Sequence, residues 1–295
     1  MSEFHRPVMV AELLEVLAIL PGQVVVDATV GGGGHAEAVL EAMEGRGKLI
    51  GIDCDLEAIA AARTRLSRFG NAVSLIHGKF SELDTLLDRV RIQKADRIYF
   101  DLGVSSHQLE KPERGFSFLR DAPLDMRMDQ TRGETAAELL NRLSETELSE
   151  IFFRYGEERH GRRVAREIVR RRKKGEDLGR TRVLAKLAEA VVGRRGARVH
   201  PATRIFQALR IAVNHELEEL LESLGSSLAR LASAGRMAVI SYHSLEDRMV
   251  KNFFREKHAA GALKILTKKP IRPSQEEIKS NIRSRSAKLR GAEKV

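Results

Sequence analysis

Tryptophan is absent from this 295-residue chain, and its one cysteine, Cys54, stands alone. A single thiol excludes an internal disulfide framework and a zinc site built from several cysteines. It fits a reducing compartment. Aromatic residues make up 5% of the chain, with three tyrosines, too few for extensive base stacking. No apolar run approaches the ~20 residues of a membrane helix. The first residues, MSEFHRPVMVAELLEVL, are broken by Glu3, Arg6, Glu12 and Glu15, so they read as neither a signal peptide nor a transit peptide. These absences point to a cytoplasmic protein with no membrane partner.

Hydrophobic residues make up 42% and charged residues 31%, enough for a sizeable core and against wholesale disorder. The net charge of +10 is unevenly spread. Arg154 to Arg210 holds 18 Lys/Arg against 6 Asp/Glu, a net of +12. Lys264 to Arg290 holds 9 against 2, a net of +7, and the rest sums to −9. Charge segregated in this way points to a polyanionic partner, nucleic acid first. The bland alternative is a solvated, arginine-rich helix face.

The first hundred residues alternate in character. Apolar runs at Val24–Val30, Lys48–Asp55, Val73–His77 and Arg97–Leu102 are separated by helical stretches at His35–Glu44, Leu56–Phe69 and Ser81–Arg91. This is the pattern of βαβ units and a parallel sheet covered on both faces. From Ser105 to about Arg204 no strand is expected, and four helices are: Thr135–Asn141, Glu145–Tyr155, Arg162–Lys174 and Arg182–Val192. Ile205 to Leu231 reads as one long helical stretch. Arg236–Tyr242 is a strand, and Ser244–His258 a helix that opens on Ser244 and Asp247, close to a capping pattern. Leu263–Thr267 and Ala287–Arg290 are candidate strands. The expected architecture is an α/β domain over 1–104 and 205–295, interrupted by a helical, nucleic-acid-binding insertion over 105–204, with a basic tail.

The sharpest local signal is Asp27-Ala28-Thr29-Val30-Gly31-Gly32-Gly33-Gly34-His35, which leaves the first strand and enters the first helix. Glycines allow a tight turn and close approach to a ligand, and the helix start offers free N–H groups to an anion. Asp53 ends the second strand 20 residues after Gly33, where a carboxylate suits ribose hydroxyls. Gly31, Gly33 and Ala36 satisfy the dinucleotide pattern, so NAD fits. S-adenosylmethionine (SAM) fits as well, and Asp27 favours its cationic amino group over a pyrophosphate. A ligand-free structural turn is the remaining reading.

Ten stretches then carry a resemblance: His5-Arg6-Pro7-Val8, DATVGGGGH (27–35), IDCD (52–55), HGKFSEL (77–83), FDLGVSSHQL (100–109), ERGFSF (113–118), PLDMRMD (123–129), YGEER (155–159), HPATRIFQALRIAVNHELEEL (200–220) and SYHSLEDRMVK (241–251). In order and over nearly the whole chain to Lys251, the sequence resembles the bacterial RsmH (MraW) family of SAM-dependent methyltransferases of small-subunit ribosomal RNA. The resemblance implies a class I, Rossmann-like methyltransferase fold with a helical insertion. It also implies methylation of the exocyclic N4 of a cytidine in the decoding region of 16S rRNA, free or in the small ribosomal subunit. Carried over, the SAM site is Gly33, Gly34 and His35 in the loop, Asp53 on the ribose, Phe80 beside the adenine, and Asp101 and Gln108 near the reacting end. The short C-terminal part keeps a basic Arg283-Ser284-Arg285-Ser286 element resembling the family's last strand.

Other residues weigh less. A helix cap is the alternative for His35, and core packing the alternative for Phe80. Cys54 reads as packing. Pro123–Asp129 alternates like a strand, but its position suggests an ordered loop over the site. A serine-hydrolase reading of Ser241–Arg248 fails for want of a nucleophile elbow. His243 and Glu246 are candidates for lining a cytidine pocket. His5, His35 and His243 lack metal-ligand spacing, so no metal is expected. Many amino-methyltransferases carry Asp/Asn-Pro-Pro-aromatic after the fourth strand, whereas this chain has Asp101-Leu102-Gly103-Val104. No residue is thereby assigned as catalytic. Asp101 is the candidate acceptor for N4–H, and a backbone carbonyl of 102–106 is the alternative. A homodimer stays open.

Overall fold

The protein is described here by a computed structural model covering residues 7–193 and 199–295. His5 and Arg6 of the first quoted stretch, and Arg194, Arg195 and Arg198 of the basic segment, lie outside the described residues. The chain divides into two compact units, Met1–Gly103 with Leu217–Val295, and Val104–Glu216.

The first unit is a seven-stranded sheet of order β3-β2-β1-β4-β5-β7-β6. Its strands are β1 (Val24–Asp27), β2 (Lys48–Asp53), β3 (Val73–His77), β4 (Ala95–Asp101), β5 (Leu231–Ser241), β6 (Leu263–Ile265) and β7 (Lys288–Lys294). β1 to β5 run parallel, with Val26 beside Ile50 and Ile98, and Ile98 beside Met237. β7 is antiparallel to both β5 and β6. The helices are α1 (Val10–Leu17), α2 (Gly34–Ala42), α3 (Leu56–Leu66) and α4 (Leu83–Arg89). After the second unit's α5 (Ser106–Glu110), α6 (Ala136–Arg142), α7 (Glu145–Arg154), α8 (Gly161–Arg172), α9 (Thr181–Val192) and α10 (Ala202–Asn214) come α11 (Glu216–Arg230), α12 (Ser244–Ala259) and α13 (Gln275–Ser280).

Period-two alternation sorts the strand residues onto two apolar faces. Val26, Ile50, Ile98, Phe100 and Val239 pack against Leu83 and Leu86 of α4, Leu220 and Leu224 of α11, and Phe253 and Phe254 of α12. Val25, Leu49, Tyr99, Ala238 and Ile240 pack against Leu13 of α1, Val39 and Leu40 of α2, and Ile59 and Ala62 of α3. Both faces are therefore covered, which is why these strands read as nearly continuous apolar runs.

Several local expectations change. The stretch Ile205–Leu231 is two helices, because His215 takes a left-handed conformation at φ 53° and ends α10. Helix α10 belongs to the second unit, so that unit ends at Glu216 rather than Arg204; Ile205, Phe206 and Leu209 sit in its core with Phe152 and Leu187. The N-cap of α12 is His243, not Ser244, and its capping box closes on Glu246. Arg283–Ser286 forms a 3₁₀ turn, and the last strand starts at Lys288.

The second unit packs α6 to α10 around Leu140, Leu148, Phe152, Val164, Ile168 and Leu184. Pro123–Asp129 is a loop with one isolated bridge, Pro123 to Arg180. Fully buried Arg114 holds it by donating to the carbonyls of Arg127 and Met128 at 3.1 and 2.9 Å. Asn214 accepts from the Met128 N–H at 2.7 Å and donates to the Met126 carbonyl at 2.8 Å. Among the described residues no helix is long and apolar enough to cross a membrane.

Candidate functional site

The parallel strands end at one edge of the sheet, and carboxylates close three of them. Asp27, Asp53 and Asp101 are the last residues of β1, β2 and β4. The same alternation places all three on the face covered by α1 to α3, at the edge where open α/β sheets bind ligands.

The glycine loop links β1 to α2. Gly31, at φ 50°, would place a Cβ only in ordinary contact with the Thr29 carbonyl at 3.9 Å, and its N–H donates to Asp53 Oδ2 at 2.8 Å. Gly33, at φ 80°, does a different job: a Cβ there would press on Ala62 of α3 at 3.3 Å. Gly34 lies against Pro7 and Arg65 in the same way. The loop therefore combines an open turn at Gly31 with helix packing at Gly33 and Gly34. The first N–H groups of α2 have no acceptor within their own helix and are available to an anionic group.

Asp53 accepts a second backbone bond, from the Asp55 N–H to Oδ1 at 2.9 Å. An ionised carboxylate has about four lone-pair sites, so both oxygens keep capacity for hydroxyl donors. Burial pushes its pKa up to about 6, against the two N–H bonds that pull it down. Beside it, His77 Nε2 lies 3.0 Å from the Cys54 carbonyl. Phe80 follows β3, partly buried, with its ring edge-on to Phe100 at 6.0 Å.

Asp27 points inward and is 1% exposed. Tyr99 Oη donates to Oδ2 at 2.6 Å and the Thr29 N–H to Oδ1 at 3.1 Å. Burial raises its pKa to about 7, although the Tyr99 bond lowers it. It is thus a buried acid tied to the sheet, and its charge at neutral pH is smaller than the sequence reading assumed.

Asp101 is held by two hydrogen bonds and faces a histidine ring. Its N–H donates to Thr29 Oγ1 at 2.7 Å, Tyr242 Oη donates to Oδ1 at 2.8 Å, and His35 Nδ1 lies 3.5 Å from Oδ2. His35 is buried, with Nε2 2.8 Å from the Val8 carbonyl. Its ring thus braces the first turn of α2 against Asp101 and the chain before α1. Sequence reading left Thr29, Tyr99 and Tyr242 without roles. The strand register brings Tyr242 to Asp101: Ile240 pairs with Asp101, and Tyr242 lies two residues further on the same face.

Gln108 belongs to the second unit. It is buried at the start of α5, where its Oε1 accepts from the Ser105 N–H at 3.0 Å in a capping box. His243 and Glu246 are also engaged in a cap: Glu246 Oε2 accepts from the Tyr242 and His243 N–H groups at 2.9 and 3.2 Å.

A family model described as the MraW methylase family matches residues 2–295. The chain is 49% identical to a protein of Pelobacter propionicus named ribosomal RNA small subunit methyltransferase H, over 99% of this chain and 98% of that protein. A protein of the same name from Syntrophotalea carbinolica is also 49% identical, over 99% and 98%. Another from Heliobacterium mobile is 47% identical, over 99% and 100%.

Proposed function

The chain belongs to the MraW methylase family, and on that premise we propose that it transfers a methyl group from SAM to the exocyclic N4 of a cytidine in the decoding region of 16S rRNA. The observation that carries the cofactor half is the pairing of Gly31 and Asp53: a loop N–H fixes a carboxylate that still has free lone pairs, at the ligand edge of the sheet. When bound, SAM supplies a methyl group already activated on a sulfonium. The residues that fit it are Asp53 for the ribose hydroxyls, Phe80 for the adenine, and Gly33, Gly34 and His35 at the first turn of α2. Asp101 serves the reacting end.

The chain's task is then to bind and orient. The N4 lone pair is delocalised into the cytosine ring, so the nitrogen is a poor nucleophile. An acceptor for N4–H localises that pair and stabilises the positive charge developing on nitrogen. Asp101, with one oxygen fixed by Tyr242 and lone pairs to spare, is suited to this role.

Calorimetry separates this reading from an NAD oxidoreductase and from a pure RNA-binding factor. SAM and its demethylated product are expected to bind, and NAD negligibly; comparable NAD affinity would overturn the reading. Asp53→Ala is expected to weaken SAM binding by about 1–3 kcal/mol, the worth of a charged hydrogen-bonding partner. The affinity is also expected to fall with pH. Asp53 protonates as pH drops through about 6, so each unit below that costs up to about tenfold, and Asp53→Asn flattens the slope. An unchanged Kd in a folded Ala variant would remove Asp53 from the site.

The RNA half rests on the second unit. Helix α8 buries Val164, Ala165 and Ile168 and exposes Arg162, Arg163, Arg166, Arg170, Lys173 and Lys174. Its basic residues are not equivalent. Arg172 donates to the carbonyls of Leu140, Asn141 and Leu143, closing the end of α6. Arg170 and Arg171 bond Glu167 and hold its carboxyl near 2. Arg162, Arg163, Lys173 and Lys174 are exposed and are the proposed phosphate contacts. Changing these four to Gln is expected to weaken RNA binding and lower its salt slope by roughly 0.7–0.9 per lost contact, with SAM affinity unchanged. An unaltered slope removes α8 from the RNA footprint. The tail is a weaker candidate than its charge suggested. Lys288 and Arg290 bond Asp247 at 3.0 and 2.7 Å, and Lys294 donates to the Leu228 and Leu231 carbonyls. Its exposed cations include Lys264, Lys268, Lys269 and Arg272.

A further inference from the structure

We infer that Tyr242 is a positioning residue for methyl transfer, acting by fixing the carboxylate of Asp101. The inference rests on the reading that Asp101 serves the cytosine amino nitrogen. Tyr242 follows β5 directly, and its backbone N–H is anchored on Glu246 Oε2 at the start of α12. Its ring packs on the cluster that holds Tyr99, Ala238 and Ile240. From this support the phenol donates to Asp101 Oδ1 at 2.8 Å.

The opposite oxygen of Asp101 faces the His35 ring at 3.5 Å. Tyr242 thus holds the carboxylate in one orientation while its other lone pairs stay available. Burial, and then the neighbouring Asp101 charge, keep the phenol well above its ordinary pKa, so it remains a donor throughout the working range. A group whose acceptor directions are set before substrate arrives loses nothing to reorganisation during the reaction. Displacement by about 1 Å at such a centre can cost on the order of a hundredfold.

Tyr242→Phe removes one oxygen and keeps the ring that packs. It is expected to lower kcat about 10- to 100-fold, with KM for RNA and Kd for SAM within about twofold of the parent. In an Asp101→Ala background the same change is expected to do nothing further, because the two residues act as a unit. A parental kcat in Tyr242→Phe, with Asp101→Ala impaired, would overturn the inference and leave the reading of Asp101 intact. The inference also fails if the two changes multiply independently, or if SAM binding is lost along with kcat, since either marks a merely structural role. A parental rate in Asp101→Ala itself would instead bring down the underlying reading.

Discussion

Asp101→Ala is expected to slow single-turnover methyl transfer by about 100- to 1000-fold, the usual cost of removing one fixed electrostatic group from a reacting centre. RNA affinity should stay close to the parental value, because the expected phosphate contacts are on the other unit. The expectation follows from how the carboxylate is held. Thr29 fixes its backbone, Tyr242 one oxygen, and the His35 ring faces the other. Such a group can accept from an amino N–H without first surrendering water or changing rotamer. The measurement is a single-turnover rate at saturating SAM and RNA, with filter binding as the control for RNA. A parental rate would deprive the carboxylate of a chemical role and pass the acceptor function to a backbone carbonyl of residues 102–106.

The second large effect concerns stability. Asp27 ionises near 3.8 when exposed and at about 7 in the folded protein, where burial opposes its charge. Between those values the folded state holds the extra proton, so this group's contribution to stability falls as pH rises and levels off above about 7. The span corresponds to about 4 kcal/mol. Asp247 carries the opposite sign: burial would raise its pKa, but the Arg290 and Lys288 bonds outweigh it and leave it low. The whole-protein curve mixes such groups, and the difference between parent and Asp27→Asn isolates one. Asparagine can accept from Thr29 through its single carbonyl oxygen but then turns an N–H toward Tyr99 Oη, reversing that bond, so the variant starts with a deficit. That deficit should be largest near pH 4 and shrink or reverse by pH 8. Denaturant unfolding of the SAM-free proteins across that range reads it directly. A constant offset would mean that Asp27 does not titrate within the range.

Much of the first unit was legible in the sequence because its signals are local. Strands buried on both faces must be apolar throughout, and β1, β2, β3 and β4 appear within two or three residues of their expected limits. Asp53 was legible because the end of a strand is set by the strand itself. The break at His215 was not: neither glycine nor proline marks the left-handed turn there, at an exposed residue inside an otherwise helical pattern. For the same reason α10 was assigned to the wrong unit. The lack of a Cβ at Gly33 and Gly34 is required by α3 and Pro7. That requirement is tertiary and leaves no local trace. The partners of Asp101 come from residues 29, 35 and 242, and spacing alone cannot join positions so far apart. Charge was legible in amount but not in use: Arg172, Lys288 and Arg290 count toward the basic segments yet serve the fold.

The central claim is the chemistry at cytosine N4, and one measurement addresses it directly. Small ribosomal subunits lacking the modification are incubated with the protein and methyl-labelled SAM, their RNA is digested to nucleosides, and the labelled nucleoside is identified by mass spectrometry. Label in N4-methylcytidine, mapping to one position of the decoding region and appearing far more slowly with Asp101→Ala, is the expected result. Label on a ring carbon or a ribose oxygen, or no transfer to small-subunit RNA at all, would contradict the account.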